Sequence, residues 1–360
     1  MSLNAGFHAL QISEVRRETP DAVSIRFRIP DSLKETFAFR AGQHLTLRAR
    51  MNGEDIRRNY SVCAAPYEKE IRIAVKQMPG GRFSTWANEN LKAGMEVDVL
   101  PPLGRFVLPE PRVHAPCYVA LAGGSGITPV LSILKTVLND APDSRFTLLY
   151  GNRDTQSIMF LEELAGLKNR YIDRLEIYHF LEFEAEEIEL FNGRLDREKC
   201  DEVFSTLVDV AHADAFFICG PGPMMDSAEE SLKARGVDAG KIFIERFTTG
   251  FTSAEQLARD EVLQSKAAGT QITVTLDGRR ARVAFDAEKG NILESIQAAG
   301  LPAPYACKGG VCSTCRAKLL SGTVAMKKNF GLTDAEVAAG YILTCQAVPT
   351  SEAVTLSYDA

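Results

Sequence analysis

Four cysteines towards the end of the 360-residue sequence have a spacing that suits metal or redox chemistry. Cys307, Cys312 and Cys315 follow the pattern C-x4-C-x2-C, and 29 residues separate Cys315 from Cys345. This is the plant-type [2Fe–2S] spacing, in which a short loop supplies three thiolates and a separate element supplies the fourth. Zinc sites usually present two separated C-x2-C-like pairs, so zinc and a set of inert thiols are the weaker alternatives.

The residues around these cysteines predict the shape of the loop. Gly309 and Gly310 are expected to adopt positive φ, which would turn backbone amides towards the sulfurs. The segment YILTCQAV is expected to be the strand that carries Cys345. The other four cysteines are scattered singly, unlike a disulfide framework: Cys63, Cys117, Cys200 and Cys219. With no export signal in the sequence, this usage predicts a reducing, cytoplasmic setting.

A second constellation, RRNYSVC, offers a cation and an aromatic ring to one ligand. Side chains alternate along a strand, so Arg58 and Tyr60 share a face where a guanidinium and a phenol suit the pyrophosphate and ring of a flavin. Further on, Gly80 and Gly81 lead into a helix whose free N–H groups suit a pyrophosphate. Ser84 is the expected N-cap of that helix. Taken singly, each motif also fits an ordinary surface strand or a plain turn.

A third constellation, VALAGGSGITPVLSIL, joins a buried strand to a helix through a glycine-rich turn. The turn lacks the G-x-G-x-x-G pattern, but its glycines allow backbone amides to approach a pyrophosphate at the helix N-terminus. The segment YGNRD presents Arg153, which can stack on adenine or pair with a 2′-phosphate, or be a solvated surface charge. No acidic residue is obviously placed for a ribose 2′-hydroxyl, so NADPH is expected rather than NADH.

The hydrophobic pattern places these motifs in three domains. Residues 1–110 contain short strands and one short helix, which predicts a small antiparallel β-barrel. Residues 111–247 alternate buried strands with amphipathic helices, which predicts an α/β domain with a parallel sheet. Residues 248–270 are polar and show no apolar face, as expected of a linker that is at most partly helical. A new β unit follows over residues 271–360.

Composition narrows the class of function. The chain is 45% hydrophobic and 24% charged, which is typical of a globular protein. Its formal net charge of −6 argues against nucleic acid as a main partner, because a phosphate-binding face needs basic excess. No stretch approaches the roughly 20 uncharged apolar residues of a membrane span. The first residues also lack the pattern of a signal peptide.

Together the motifs resemble the ferredoxin–NADP reductase superfamily followed by a plant-type ferredoxin domain, the arrangement of one branch of oxygenase reductases. The resemblance implies a β-grasp fold for residues 271–360 and FAD rather than FMN. R-x-Y-S followed by G-G-x-x-S implies a flavin site of eight residues: Arg58, Tyr60, Ser61, Val75, Lys76, Gly81, Phe83 and Ser84. GGSGITP and CGPGPM imply these nucleotide contacts beside Arg153: Gly124, Gly126, Thr128, Pro129, Gly220, Pro221 and Met224.

The resemblance also implies roles in catalysis. In this family Thr128 lies close to both flavin and nicotinamide. Cys219 would pack against the carbon that transfers hydride, although a buried cysteine is more commonly a small hydrophobe. A terminal aromatic covers the flavin in the family, which points to Phe247, with Glu245 as its polar neighbour. Alternatively, Phe247 is an ordinary core residue at the edge of a domain.

The implied function is electron transfer from NADPH through FAD and the [2Fe–2S] cluster to an oxygenase. A flavin accepts a hydride and releases single electrons, which a one-electron cluster requires. A di-iron oxygenase is the expected partner, and an NADH-dependent reductase serving a Rieske-type oxygenase is the alternative. A redox sensor would not need a complete nucleotide site. Four basic residues are expected to rim the partner's docking face near the cluster: Lys308, Arg316, Lys327 and Lys328.

Overall fold

The computed structural model describes residues 6–51, 53–109, 115–247 and 254–360. The chain forms two compact units, one within residues 2–245 and the other within residues 246–360. No helix within the described ranges is long and apolar enough to cross a membrane.

The N-terminal unit begins with an antiparallel sheet of six strands in the order β4-β3-β6-β1-β2-β5. A bridge between Val62 and Ile73 joins its two edges, so the sheet closes into the expected barrel. The apolar side chains that alternate along its strands fill the interior. Its elements are β1 His8–Thr19, β2 Ala22–Arg28, β3 His44–Met51, β4 Glu54–Ser61, β5 Ile71–Lys76, α1 Arg82–Asn90 and β6 Glu96–Val99.

The start of α1 differs from the expectation. Gly81, not Ser84, is the N-cap, and Ser84 lies inside the first turn of the helix. The Ser84 hydroxyl accepts a hydrogen bond from the Met78 amide at 3.0 Å and donates to the Gly81 carbonyl at 3.1 Å. Ser84 therefore holds the turn that precedes the helix, and the expectation that it caps α1 is wrong.

A five-stranded parallel sheet in the order β11-β10-β7-β8-β9 completes this unit. The chain runs outward from β7 to β9 and then returns to the other side with β10, so the strand order reverses between β7 and β10. In such sheets ligands bind outside the carboxyl ends of the strands at the reversal. Its elements are β7 Cys117–Gly123, α2 Ile127–Asp140, β8 Arg145–Asn152, α3 Leu161–Arg170, β9 Leu175–Leu181, α4 Arg197–Thr206, β10 Ala215–Cys219, α5 Gly222–Ala234 and β11 Ile242–Glu245.

The C-terminal unit is built on a mixed sheet in the order β13-β12-β18-β14-β16, with β15 and β17 as a separate pair. The helix α7 packs on the apolar core that this sheet covers. Its elements are α6 Ala254–Lys266, β12 Gln271–Leu276, β13 Arg279–Ala284, α7 Ile292–Ala298, β14 Arg316–Ser321, β15 Val324–Met326, α8 Asp334–Ala338, β16 Tyr341–Leu343, β17 Ala347–Pro349 and β18 Ala353–Ser357.

Most of the predicted linker is helix α6. Leu263 packs against the core of the C-terminal unit, and Ala267, just beyond the helix, is buried in it. The expectation that this segment has no apolar face is therefore wrong. Residues 248–253 of the linker, and the predicted boundary between residues 110 and 111, lie outside the described residues.

Candidate functional site

The four predicted cluster ligands come together in the C-terminal unit as two pairs. A hydrogen bond between the thiols of Cys307 and Cys312 lowers the pKa of Cys312 and raises that of Cys307. The pKa of Cys315 is raised by its hydrogen bond with Cys345, by burial and by the nearby charge of Cys312. Within the described ranges no three His, Cys, Asp or Glu side chains are grouped to hold a single metal ion. Two thiol pairs instead suit two irons that each take two thiolates.

Backbone amides point at these sulfurs. The amides of Cys307 and Gly309 donate to the sulfurs of Cys312 and Cys307 at 3.5 and 3.3 Å. Gly310 has the expected positive φ of 79°, but Gly309 does not. Lys308 and Ser313 adopt positive φ instead, at 53° and 56°. The expectation for Gly309 is therefore wrong, although donors do surround the sulfurs and the residues fit an anionic cluster.

Cys345 lies in a turn rather than a strand. It follows β16, which ends at Leu343, and precedes β17, which begins at Ala347, so the predicted continuous strand is wrong. Gln346 was not predicted: its side-chain amide donates to the Lys308 carbonyl at 3.0 Å and to the Cys345 sulfur at 3.6 Å. Gln346 therefore ties the distant cysteine to the loop that supplies the other three.

The basic residues near the cluster have intramolecular partners. Lys308 Nζ lies 2.7 Å from Glu294 Oε1, and Arg316 Nη1 lies 2.8 Å from Glu336 Oε1. Lys327 Nζ donates to the Gly290 carbonyl at 2.9 Å. Carboxylates thus offset the charges of Lys308 and Arg316, whereas the contact of Lys327 with a carbonyl leaves its charge in place.

In the N-terminal unit β4 carries the predicted flavin residues. Arg58 is exposed, and its guanidinium donates to the Arg57 carbonyl at 2.7 Å. The Tyr60 ring packs 5.6 Å from the Phe83 ring, and burial raises the pKa of Tyr60. Phe83 is only 1% exposed and belongs to the core of the barrel. An exposed cation therefore lies two residues from a ring that is held in place by the core.

The remaining flavin residues lie at the end of β5 and the start of α1. Val75 is fully buried, and its carbonyl accepts from Asn88 at 3.0 Å. Lys76 is mostly buried, which lowers its pKa, and its Nζ lies 3.8 Å from Asp21. At Gly81 a Cβ atom would stand 2.4 Å from the Ser84 hydroxyl, so the turn before α1 requires glycine there. The free amides of α1 follow directly.

The two predicted nucleotide segments meet at the reversal of the parallel sheet. A Cβ on Gly126 would stand 2.0 Å from the Cys219 carbonyl, and one on Gly220 would stand 2.9 Å from the Gly123 amide. The glycines thus let the turn after β7 touch the turn after β10. Tyr150 was not predicted, yet its hydroxyl donates to the Gly124 carbonyl at 3.0 Å and supports the turn.

The other residues of these segments lie in the same contact. Thr128 is 2% exposed and its hydroxyl donates to the Ser125 carbonyl at 3.0 Å, which closes the first turn of α2 before Pro129. Pro221 and Met224 lie against Gly123, where a Cβ would come within 2.5 and 2.9 Å of their side chains. The backbone of the turn and the N-terminus of α2 are thereby held rigidly at the carboxyl edge of the sheet.

A polar network links the flavin strand to the nucleotide half. The Ser61 hydroxyl donates to Glu245 Oε2 at 3.0 Å, and the other oxygen of Glu245 lies 3.8 Å from His44 Nδ1. Asn59 Nδ2 lies 3.3 Å from His44 Nε2. Cys219 is paired in register with Glu245, and complete burial together with the Glu245 charge raises the pKa of its thiol. No sequence motif pointed to His44 or Asn59, because only the pairing of β3 with β4 brings them together.

Arg153 has an acidic neighbour that the sequence did not reveal. Its Nη2 donates to Asp21 Oδ2 at 3.0 Å. Glu184, just beyond β9, accepts a hydrogen bond from the Thr155 hydroxyl. Two carboxylates therefore lie near Arg153, where the sequence had placed no acidic residue. The predicted Phe247 belongs to the C-terminal unit and is 37% exposed.

Family models match each of the three regions. The oxidoreductase FAD-binding domain matches residues 9–108, the oxidoreductase NAD-binding domain matches residues 120–230, and the 2Fe-2S iron-sulfur cluster binding domain matches residues 274–350. Fold and sites thus define a flavin- and iron–sulfur-dependent oxidoreductase that takes electrons from a nicotinamide nucleotide.

Whole-chain relatives refine this class. The chain is 44% identical to a component of the 1,2-phenylacetyl-CoA epoxidase of Escherichia coli, over 98% of both chains. It is 32% identical to the ferredoxin reductase component of 3-ketosteroid-9-alpha-monooxygenase of Rhodococcus rhodochrous, over 97% of this chain and 96% of that one. The crystal structure of phthalate dioxygenase reductase superposes with a TM-score of 0.61 and 26% identity, over 98% of both chains.

A likeness to an intact self-sufficient cytochrome P450 monooxygenase concerns the fold alone: the TM-score is 0.70 at 23% identity, over 97% of this chain and 41% of that one. The chain belongs to the family of reductase components of multicomponent oxygenases, in which a flavin domain, a nucleotide domain and a ferredoxin domain share one polypeptide.

Proposed function

We propose that the chain is the NADPH-dependent reductase of a phenylacetyl-CoA epoxidase, and that it delivers electrons to a di-iron oxygenase in the cytoplasm. The observation that carries this proposal is the 44% identity to the 1,2-phenylacetyl-CoA epoxidase component over 98% of both chains. The lower identity of 32% to the 3-ketosteroid-9-alpha-monooxygenase reductase makes a steroid-type oxygenase the second candidate.

When bound, FAD would supply a group that accepts a hydride from the nucleotide, and the [2Fe–2S] cluster would supply transfer of single electrons. The chain's own residues supply the geometry. Arg58 and the amides of α1 bind the flavin's pyrophosphate, and Tyr60 lies against its ring. Ser61 and Glu245 hold a polar edge at the reacting end of the flavin. Cys307, Cys312, Cys315 and Cys345 are the iron ligands.

On the nucleotide side the amides of Gly124 and Gly126 bind the pyrophosphate at the positive end of α2. Thr128 and Cys219 contact the nicotinamide, and Gly220, Pro221 and Met224 lie beside them. Residues 1–110 form the flavin domain, residues 111–247 the nucleotide domain and residues 271–360 the cluster domain.

Arg153 is proposed to pair with the 2′-phosphate of NADPH. A specific observation favours NADH as the second candidate: Asp21 already accepts from Arg153 at 3.0 Å, and a carboxylate there would repel a phosphate. Substituting Asp21→Asn would remove the competing charge, and it is expected to raise kcat/KM for NADPH about tenfold, the worth of one charged hydrogen bond. The same substitution should leave NADH nearly unaffected if the proposal for NADPH is right.

The docking face for the oxygenase is proposed to lie around the cluster loop. Lys328 and the half-exposed Lys308 and Arg316 are its basic members, although Glu294 and Glu336 already pair with the last two. Charge reversal at Lys308 is therefore expected to weaken transfer to the oxygenase at low salt and to have little effect at high salt.

Reconstitution tests the function as a whole. The purified FAD- and cluster-loaded protein is combined with the other phenylacetyl-CoA epoxidase components and, separately, with a steroid 9α-hydroxylating oxygenase. NADPH-dependent epoxidation of phenylacetyl-CoA is expected only in the first mixture. Turnover in the second mixture alone would assign the chain to the other oxygenase, and faster turnover with NADH would reverse the choice of nucleotide.

A further inference from the structure

A charge network with two buried cations joins the barrel to the parallel-sheet half of the N-terminal unit, and its carboxylate side chains, Glu68 and Glu163, are 25% and 23% exposed. Its members are Glu68, Arg72, Lys135 and Glu163. The Lys135 side chain is 2% exposed, and its Nζ donates to Glu68 Oε2 at 2.7 Å and to Glu163 Oε1 at 3.1 Å. Arg72, whose side chain is 10% exposed, donates through Nη2 to the two Glu163 oxygens at 2.7 and 2.9 Å. Two cations and two carboxylates alternate along the network, and a third carboxylate adjoins it, because Glu70 Oε1 lies 3.6 Å from Arg72 Nε.

Stability is a weak reason for burying such charges. Taking ions out of water costs about as much as their attraction returns, and replacing a buried ion network with apolar side chains is often neutral or stabilising. The better-attested use of a buried charge network is to select one geometry among several, because a misaligned pair leaves a charge buried without a partner. The network is therefore expected to fix the position of the barrel relative to the parallel sheet rather than to add to the free energy of unfolding.

That arrangement involves both halves of the catalytic cleft. Glu68 lies on the connection between β4 and β5, and Arg72 lies near the start of β5. The strand β4 ends with Ser61, and β5 ends with Lys76. Both ends belong to the proposed flavin site. Lys135 lies on α2, the helix that begins directly after the proposed nucleotide turn. Glu163, on α3, joins the two cations.

One face of α2 follows the barrel along this contact. Thr128, Ser132 and Lys135 recur at spacings of four and three residues, which places them on the same side of the helix. The Ser132 hydroxyl donates to the Ala64 carbonyl at 2.6 Å. Ala64 lies three residues beyond Ser61, so the helix is attached to the flavin strand close to its functional end as well as at the network.

We propose that the charge network of Glu68, Arg72, Lys135 and Glu163 is a positioning device that sets the distance between flavin and nicotinamide and thereby the rate of hydride transfer. This rests on the proposed flavin and nucleotide contacts. In the step concerned a hydride leaves the nicotinamide with both electrons of its C–H bond and reduces the flavin, while the nucleotide is oxidised. Reacting atoms must come within about 3–3.5 Å, and a displacement of about 1 Å costs about 100-fold in rate.

The test uses the full-length, FAD-loaded protein with the double substitution Lys135→Met and Glu163→Met, which removes one charge of each sign. Flavin content is expected to stay near that of the unsubstituted protein, whereas the thermal unfolding midpoint should fall, because Glu68 loses Lys135 and Arg72 loses Glu163. Anaerobic stopped-flow reduction of the flavin at saturating nucleotide is expected to slow about 100-fold. Amide hydrogen exchange of residues 62–72, measured on the apoprotein, is expected to rise.

The matched control removes an exposed ion pair of the same residue types. Lys233 and Glu229 lie 2.7 Å apart on α5, and replacing both with methionine should leave flavin reduction unchanged. Lys135→Arg keeps the positive charge and should retain most of the rate. A double variant at Lys135 and Glu163 that binds flavin and reduces it at the original rate would overturn the proposal.

If that double variant does not fold, Ser132→Ala provides the second measurement. It removes only the contact with Ala64 and is expected to slow flavin reduction about tenfold, which corresponds to one hydrogen bond. An unchanged rate there, with unchanged exchange of residues 62–72, would equally overturn the proposal. The assay contains no oxygenase, so its result stands apart from whether the proposed epoxidase partner is correct.

Discussion

The cluster loop and the flavin–nucleotide cleft are built on different principles. Three of the four cluster ligands fall within nine residues of sequence, from Cys307 to Cys315. The cleft instead draws on five strands and two helices of the N-terminal unit: β4, β5, β7, β10, β11, α1 and α2. Its glycines, hydroxyls and carboxylates meet only through long-range contacts such as that of Ser61 with Glu245.

This difference predicts different responses to substitution. A thiolate ligand has no substitute in the loop, so the loss of one should abolish the site. The cleft shares its binding among backbone amides and single hydrogen bonds, each worth about 1 kcal/mol, so its losses should be graded. A ligand substitution that keeps the cluster, or a single cleft substitution that abolishes flavin binding, would contradict this difference.

The largest effect is expected for Cys345→Ser. A serine hydroxyl does not replace a thiolate, so cluster absorbance and cluster-dependent electron transfer should be lost, whereas flavin content and flavin reduction by nucleotide should persist. Cys117→Ser, at a half-buried cysteine outside the loop, is the matched control and should keep both cofactors. A Cys345→Ser protein with an intact visible spectrum would remove Cys345 from the ligand set.

Gly126→Ala should have the next largest effect. Its Cβ would stand 2.0 Å from the Cys219 carbonyl, so the two nucleotide turns must separate. Displacement of about 1 Å predicts flavin reduction about 100-fold slower in the stopped-flow assay, with the cluster spectrum unchanged. Gly166→Ala is the control: it lies in α3 with no atom within 4 Å of the added carbon, and should stabilise the helix by about 1 kcal/mol. Equal rates for both variants would contradict the close contact.

Ser61→Ala should give a smaller loss. It removes the 3.0 Å hydrogen bond to Glu245, and a single such bond corresponds to flavin reduction about tenfold slower. Ser13→Ala on β1, which removes an exposed hydrogen bond to the Arg26 carbonyl, should leave the rate unchanged. A Ser61→Ala variant as fast as the control would leave Glu245 without a role in that step.

The smallest effect is expected on the pH dependence of stability and involves His179, which lies behind the nucleotide turn. The His179 ring lies 5.8 Å from the ring of Tyr150, which holds Gly124, and burial lowers the pKa of His179 from its ordinary value of 6.5. The unfolded chain therefore binds this proton more tightly than the folded chain. The contribution of His179 to stability is present above pH 6.5 and declines as the pH falls towards the lowered pKa.

Unfolding midpoints at about pH 7.5 and about pH 5.5 check this dependence. His179→Gln should lessen the fall in stability between the two values. His212→Gln, at a side chain that is 81% exposed, should not change it. An identical fall in all three proteins would show that His179 does not couple protonation to folding.

The fold class, the flavin and cluster domains and the oxygenase-reductase family were predictable from sequence and are confirmed by the family models and relatives. The errors lie in local conformation. Ser84 has the right chemistry for a cap, but its hydroxyl accepts a hydrogen bond from the Met78 amide in the turn before the helix. Gly309 was expected to adopt positive φ, and Lys308 does so instead, because the direction of the loop depends on Gln346 and the core beneath it.

The sequence by itself determined the chemistry: which side chains can ligate iron, which turns leave amides free for phosphates, and which strands are buried on both faces. These properties depend on neighbours a few positions apart. Only the tertiary structure decided which distant groups share a site, as Glu245 does with Ser61 and Lys135 with Glu68. Such pairs follow from strand order and burial, because a buried charge is stable only beside a partner and the fold decides which groups are near. No local spacing in the sequence encodes them.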